Sequence, residues 1–268
     1  MAAKKKVTTL TNPFAVLPET ARSEAKRGKA HIFRNHVCKT DSLAFPRPKN
    51  RSPVELVVDA TEGFIPLWDK GTTLRWRFKE QSLQHFADIP AAKAALRQLL
   101  GEALLAWGDA LPVKFAERQD AWDFQVVVQE AHDCDASGCT LAQAFFPDAG
   151  RHKLIVYPDM FDQTRKEQVA TLAHELGHVF GLRHFFALIS EKKWPAEVFG
   201  QHKAFSIMNY GDKSRLTAQD KADLKSLYQL AWSGQLQQIN GTDIRLVRPY
   251  HLQESSIVAA AAAAVARG

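Results

Sequence analysis

Between Ala91 and Trp107 the apolar residues Ala95, Leu96, Leu99, Leu100, Ala103, Leu104 and Trp107 recur at the three- and four-residue spacing of one helix face. On either side the period drops to two. After the Lys70-Gly71 turn, Leu74, Trp76 and Phe78 alternate with polar residues in TLRWRF; VKFAER and DFQVVVQE follow the helix as strands, the second apolar enough to lie centrally. VELVVDA upstream, and LAQAFFP and KLIVYP downstream, are further strand candidates. A second helix is predicted to start near Gln163–Thr164. A third lies in SRLTAQDKADLKSLY, where Thr217 and Asp220 make a capping-box-like start and Leu224 and Leu227 mark the inner face. Three main helices and about five strands in this order imply one α+β domain over Val54–Trp232.

The flanks read differently. Met1–Ser52 has no sustained periodicity and is expected to be a basic, disordered leader or pro-segment. Ser233–Gly268 is expected to be a C-terminal extension, with a strand-like stretch DIRLVRPY and a loose end carrying the alanine run. Charge sharpens this division. The chain of 268 residues has a net charge of +6, but Met1–Ser52 carries +9 and the remainder −3, so the basicity belongs to the leader. With 46% hydrophobic and 24% charged residues the composition is that of a soluble globular protein. No apolar run approaches the roughly 18–20 residues of a membrane helix. The start MAAKKKVTTLTNPFAVLPET is too polar and proline-interrupted for a Sec-type signal, which points to the cytoplasm or to export by another route. Three cysteines are too few for a disulfide-built scaffold; Cys134 and Cys139 in HDCDASGC could form a disulfide after export or stay as thiols in a reducing compartment.

The candidate chemistry lies in TLAHELGHVFGLRH. His174 and His178, four apart on a helix, project from one face and can share an ion. Glu175 sits beside that face, able to reach a water on the metal without ligating it. Gly181 suits a left-handed turn that ends the helix and lets His184 return as third ligand. Three imidazoles with one open position are the pattern of a catalytic zinc site. With 10 His and 14 Gly in the chain, the full eleven-residue pattern has a chance expectation on the order of 10⁻⁵. Only one convergent ligand set is visible, so one catalytic zinc is expected; HDCDASGC is the next place to seek a second ion.

Downstream, Met208 in SIMNYG resembles the Met-turn that floors the zinc in metzincins. Within that clan the chain most resembles the matrixin catalytic domain, over about Leu74–Tyr228, in TLRWRF, LLAWGDALPVKFAE, GCTLAQAFFPDAG and LTAQDKADLKSLY. The resemblance implies a zincin-like fold with a twisted, mixed five-stranded sheet and three main helices. It also implies a zinc-dependent endopeptidase acting on protein or peptide substrates, in which Glu175 activates a zinc-bound water. Leu141, Ala142, Gln143 and Ala144 would form the edge strand on which a substrate peptide lies.

The chain departs from the matrixin pattern in four ways. Gln143 replaces an edge-strand histidine, so no structural zinc is expected. The leader lacks a PRCG-type inhibitory motif, and Cys38 in NHVCKTD reads as an ordinary thiol. Phe185 follows the third histidine, and a longer loop, Phe185–Phe205, precedes the Met-turn. Tyr210, two residues after Met208, is similar to the tyrosine of astacins and serralysins and is a candidate to steady the oxyanion. The rival reading is a non-catalytic zincin-like protein tethered to polyanions by its basic arm. A structural site has no use for Glu175, and the arm lacks interleaved aromatics, so nucleic acid is not expected as a partner.

Overall fold

In the computed structural model, which describes residues 12–17, 38, 40, 56–59, 63–135, 138–184, 196–199, 206–208 and 214–253, the alternating segments pair as one mixed sheet. Its strands are β1 (Thr73–Phe78), β2 (Lys114–Glu117), β3 (Phe124–Val128), β4 (Ala142–Gln143) and β5 (His152–Val156), in the spatial order β2-β1-β3-β5-β4. Four are parallel; β4 runs antiparallel to β5, with Ala142 opposite Val156 and Gln143 opposite Ile155. The apolar run of β3 takes the centre, as its composition requires of a strand covered on both faces. LAQAFFP contributes only two residues to the ladder, at the edge.

The three main helices are α1 (Ile89–Trp107), α2 (Arg165–Val179) and α3 (Ala218–Trp232). Each begins where a side chain satisfies its first amides. Asp88 accepts from Ala91 N–H, and Thr164 with Glu167 and Thr217 with Asp220 form reciprocal capping boxes. The stripe of α1 buries Leu96, Leu99, Leu100, Ala103 and Trp107, and α1 packs on α2. Trp107 Nε1–H donates to Ala173 O at 2.9 Å, and its ring meets Phe180 edge-on at 5.5 Å. Trp68, Phe78, Phe124 and Phe180 are among the other large, fully buried side chains, the phenylalanines each contributing about 1.5–3 kcal/mol by leaving water.

Two flanking segments pack against this body. The strand Thr242–Val247, inside the expected C-terminal extension, pairs in parallel with Ile65–Trp68. Beyond it, buried His251 gives its backbone N–H and Nδ1 to Asp123, at 2.9 and 2.9–3.0 Å, while Asp123 also accepts from Arg75 N–H at 2.7 Å. From the leader, residues 12–17 dock beside the first helix: Leu17 N–H donates to His85 O, Ala87 N–H to Ala15 O, and Phe14 stacks on Phe161 at 4.2 Å. The strand Leu56–Asp59, from VELVVDA, lies outside the main sheet, between Leu182–Arg183 and Ala196–Phe199. No helix among the described residues is long and apolar enough to cross a membrane.

Candidate metal centre

Helix α2 ends at Val179, and its last carbonyls would be stranded in the core. Side chains from other elements take them. Trp68 Nε1–H donates to Val179 O at 2.7 Å, and Tyr228 O–H to Phe180 O at 3.1 Å. Burial pushes the Tyr228 phenol well above its usual range, so it stays a donor. Gly181 then turns at φ +89°, its N–H on His178 O at 2.8 Å, and a side chain there would press on Pro66 O. The turn carries Leu182–Arg183 back along the helix end and brings His184, fully buried, beneath His174 and His178.

The imidazoles are aimed by backbone carbonyls. His174 Nδ1 lies 2.7 Å from Ile207 O, and His178 Nδ1 lies 2.8 Å from Leu182 O. A carbonyl can only accept, so both rings carry their proton on Nδ1 and present the Nε2 lone pair. His174 Nε2 is 3.0 Å from His184 Nε2. Met208 is fully buried under the helix, its N–H on Ser206 Oγ at 3.1 Å. A Cβ on Gly177 would stand 2.5 Å from its sulfur, so the glycine between Glu175 and His178 is what lets this floor rise. Asp220 of the α3 capping box also accepts from Ile207 N–H, which couples that helix start to the carbonyl holding His174.

Glu175 is 2% exposed, and both its oxygens are engaged by residues from the leader. The Cys38 thiol donates to Oε1 at 3.4 Å, and the Thr40 hydroxyl donates to Oε2 at 3.0 Å. Cys38 Sγ also lies 3.4 Å from His178 Nε2. Thr40 Oγ1 in turn accepts from Ala144 N–H, next to β4, at 2.9 Å. The reading of Cys38 as an ordinary thiol is therefore corrected: its sulfur and one nitrogen from each of His174, His178 and His184 lie within 4.8 Å of one another. The signal was in NHVCKTD, but 136 residues separate Cys38 from His174, and no local pattern spans that distance. Desolvation, followed by the Glu175 carboxylate, pushes the metal-free Cys38 thiol up to about 12, against a lowering hydrogen bond from His184.

Leu141, Ala142 and Ala144 are buried and Gln143 is half-buried, in and around the outer strand β4, which packs against α2. Tyr210 and most of the Phe185–Phe205 loop lie outside the described residues. Cys134 and Cys139 form a disulfide across a hairpin that leads into β4. The donor set fits a zinc ion: three imidazole nitrogens, two with fixed tautomers, within 4.8 Å of one another.

Comparison with known proteins supports the fold and gives the family. The matrixin family model matches residues 67–229, more than half of the chain. The chain is a matrixin. Matrixins are zinc metallopeptidases of the metzincin clan, and the mixed five-stranded sheet with its helices is the fold expected of one. Among solved structures, high choriolytic enzyme 1, a hatching enzyme zinc-protease from the medaka fish Oryzias latipes, aligns at 13% identity with a TM-score of 0.40. That alignment covers 61% of this chain and 94% of the other. No curated protein matches the sequence.

Proposed function

We propose that this matrixin is an endopeptidase that uses one zinc ion, held by His174, His178 and His184, with Glu175 as general base and then general acid. The observation that supports it is the placement of a buried carboxylate beside three convergent imidazoles, linked through Thr40 to the edge strand of the sheet. Bound there, zinc would acidify a water and polarise the scissile carbonyl. Glu175, one helix position from His174, takes that water's proton and returns it to the leaving amine. The edge strand Leu141–Ala144 aligns an extended peptide through its backbone, with the Ala144 N–H, now on Thr40, as one donor. Tyr210 is assigned to the oxyanion.

The Cys38 and Thr40 contacts favour a second element of this function, latency. Held as described above, the leader occupies the metal's open side, both oxygens of the general base and an edge-strand amide at once. Substrate and leader cannot use these groups together.

Glu175→Gln tests the catalytic reading against the non-catalytic, polyanion-tethered one. On a mixed peptide library, the variant is expected to lose about 10²–10⁴-fold in kcat while keeping its zinc. Equal cleavage by the variant, or no chelator-sensitive cleavage by the parent chain freed of its leader, would refute the assignment.

A further inference from the structure

We propose that Cys134, Cys139 and Asp159 form a second metal site, for a thiophilic divalent ion such as zinc, available only while the two cysteines are reduced. This site is separate from the histidine centre and does not rest on the endopeptidase reading. One ligand atom from each of the three residues lies within 4.8 Å of the others. The cysteines face each other across the hairpin of Cys134–Asp135 and Gly138–Cys139, closed at its base by Thr140 N–H on Asp133 O at 2.8 Å. Their spacing, C-x4-C, falls within the range used by zinc-binding cysteine pairs.

The carboxylate makes this more than a cysteine pair. Asp159 lies on the short helix Pro158–Phe161 after β5, with its side chain only 12% exposed, and aims at the hairpin. Its Oδ2 stands 4.0 Å from Cys134 Sγ and 2.7 Å from His132 Nδ1. A buried carboxylate facing two sulfurs is costly once they become thiolates, unless a cation sits between the three. His132 then acts as a positioning residue, holding the carboxylate as outer partners hold metal ligands.

In the oxidised chain the disulfide closes the hairpin, and disulfide sulfurs do not replace thiolates as ligands. A dithiol reductant converts it to two thiols, itself becoming a cyclic disulfide. Metal binding then releases the two thiol protons to solvent. The hairpin is cross-linked in either state, which keeps the base of the edge strand fixed: Leu141 O accepts from Tyr157 N–H at 2.9 Å just beyond it.

The test counts zinc on the full-length chain, not activity. One sample is oxidised; another is reduced with a phosphine and desalted without oxygen. Both are equilibrated with zinc and freed of excess, and metal is measured by atomic spectroscopy. The reduced chain is expected to hold one ion more than the oxidised chain. Cys134→Ser/Cys139→Ser should erase that difference, Asp159→Asn should weaken the extra ion at least about tenfold, and His132→Ala about 10–100-fold. Equal counts in the two states, or a difference that survives in the double cysteine variant, overturns the proposal. The ion retained in the oxidised sample reports on the histidine centre alone, so failure there is read separately.

Discussion

At the scale of single residues, the metal centre depends on groups that do no chemistry. Gly177 has no side chain because Met208 occupies the space: an added Cβ would meet the sulfur at 2.5 Å and the terminal methyl at 3.3 Å. Met208 is fully buried and cannot retreat to solvent. Gly177→Ala is expected to cost about 1–3 kcal/mol as overpacking, seen as a fall in Tm of about 2–4 °C per kcal/mol. It should also weaken zinc binding, since His178 is the very next residue. An unchanged Tm and zinc affinity would show that the methionine floor yields. For Tyr210, a hydroxyl that donates only to the transition state predicts that Tyr210→Phe lowers kcat by roughly 10–10³-fold at constant KM and zinc content. A kcat within about threefold of the parent would remove it from the mechanism. The placement of the histidines was legible because His174 and His178 stand four apart on one helix face and Gly181 marks the turn that returns His184, with Glu175 beside that face. Cys38 and Thr40 were not, since their partners Glu175 and Ala144 lie more than 100 residues away and no regular element links them.

At the scale of elements, the three helices were legible because each carries both a periodic apolar face and a capping residue in its own sequence. Two ends shift: α1 starts at Ile89, where Asp88 and Pro90 take over from the apolar pattern, and α3 runs on past Tyr228 to Trp232. What stayed hidden was pairing at long range. Ile65–Trp68 contains Pro66, which argues against a strand, yet it accepts Thr242–Val247 as a parallel neighbour. No local pattern records a parallel partner some 180 residues away, so the C-terminal segment read as an extension instead of part of the body. The end of α2 depends on the same long-range contacts. Tyr228→Phe keeps the ring and removes the donor to Phe180 O, leaving a buried carbonyl without that partner. The expected cost is about 1–3 kcal/mol in denaturant unfolding with an unchanged m-value. The turn at Gly181 should loosen with it, so zinc affinity should fall along with stability. A loss of stability with zinc affinity intact would mean that Trp68 alone holds the turn.

At the scale of the whole molecule, the leader touches the catalytic body at two described places, and they differ in consequence. Residues 12–17 grip the side of the domain through Phe14, far along the chain from the site, while Cys38 and Thr40 fill the site itself. If these last contacts hold the chain latent, activity measures the fraction of molecules in which they are broken. Hydrogen bonds to a charged group are worth about 1.5–3 kcal/mol, so Thr40→Val, which removes the one on Glu175 Oε2, should raise kcat/KM of the intact chain by about tenfold or more. Cys38→Ala should do the same without any cleavage. Connectivity gives a sharper test. The latch is joined to the catalytic body through residues 41–55, so a cut there turns an intramolecular contact into a bimolecular one and forfeits an effective concentration of order millimolar. A cut between residues 18 and 37 leaves Cys38 and Thr40 tethered. Engineered cleavage sites in the two stretches, assayed for peptide hydrolysis after specific cutting and dilution, should therefore behave oppositely: activation for the first, latency retained for the second. Activation by both cuts would place the restraint at Phe14, and activation by neither would show that the leader does not restrain the enzyme.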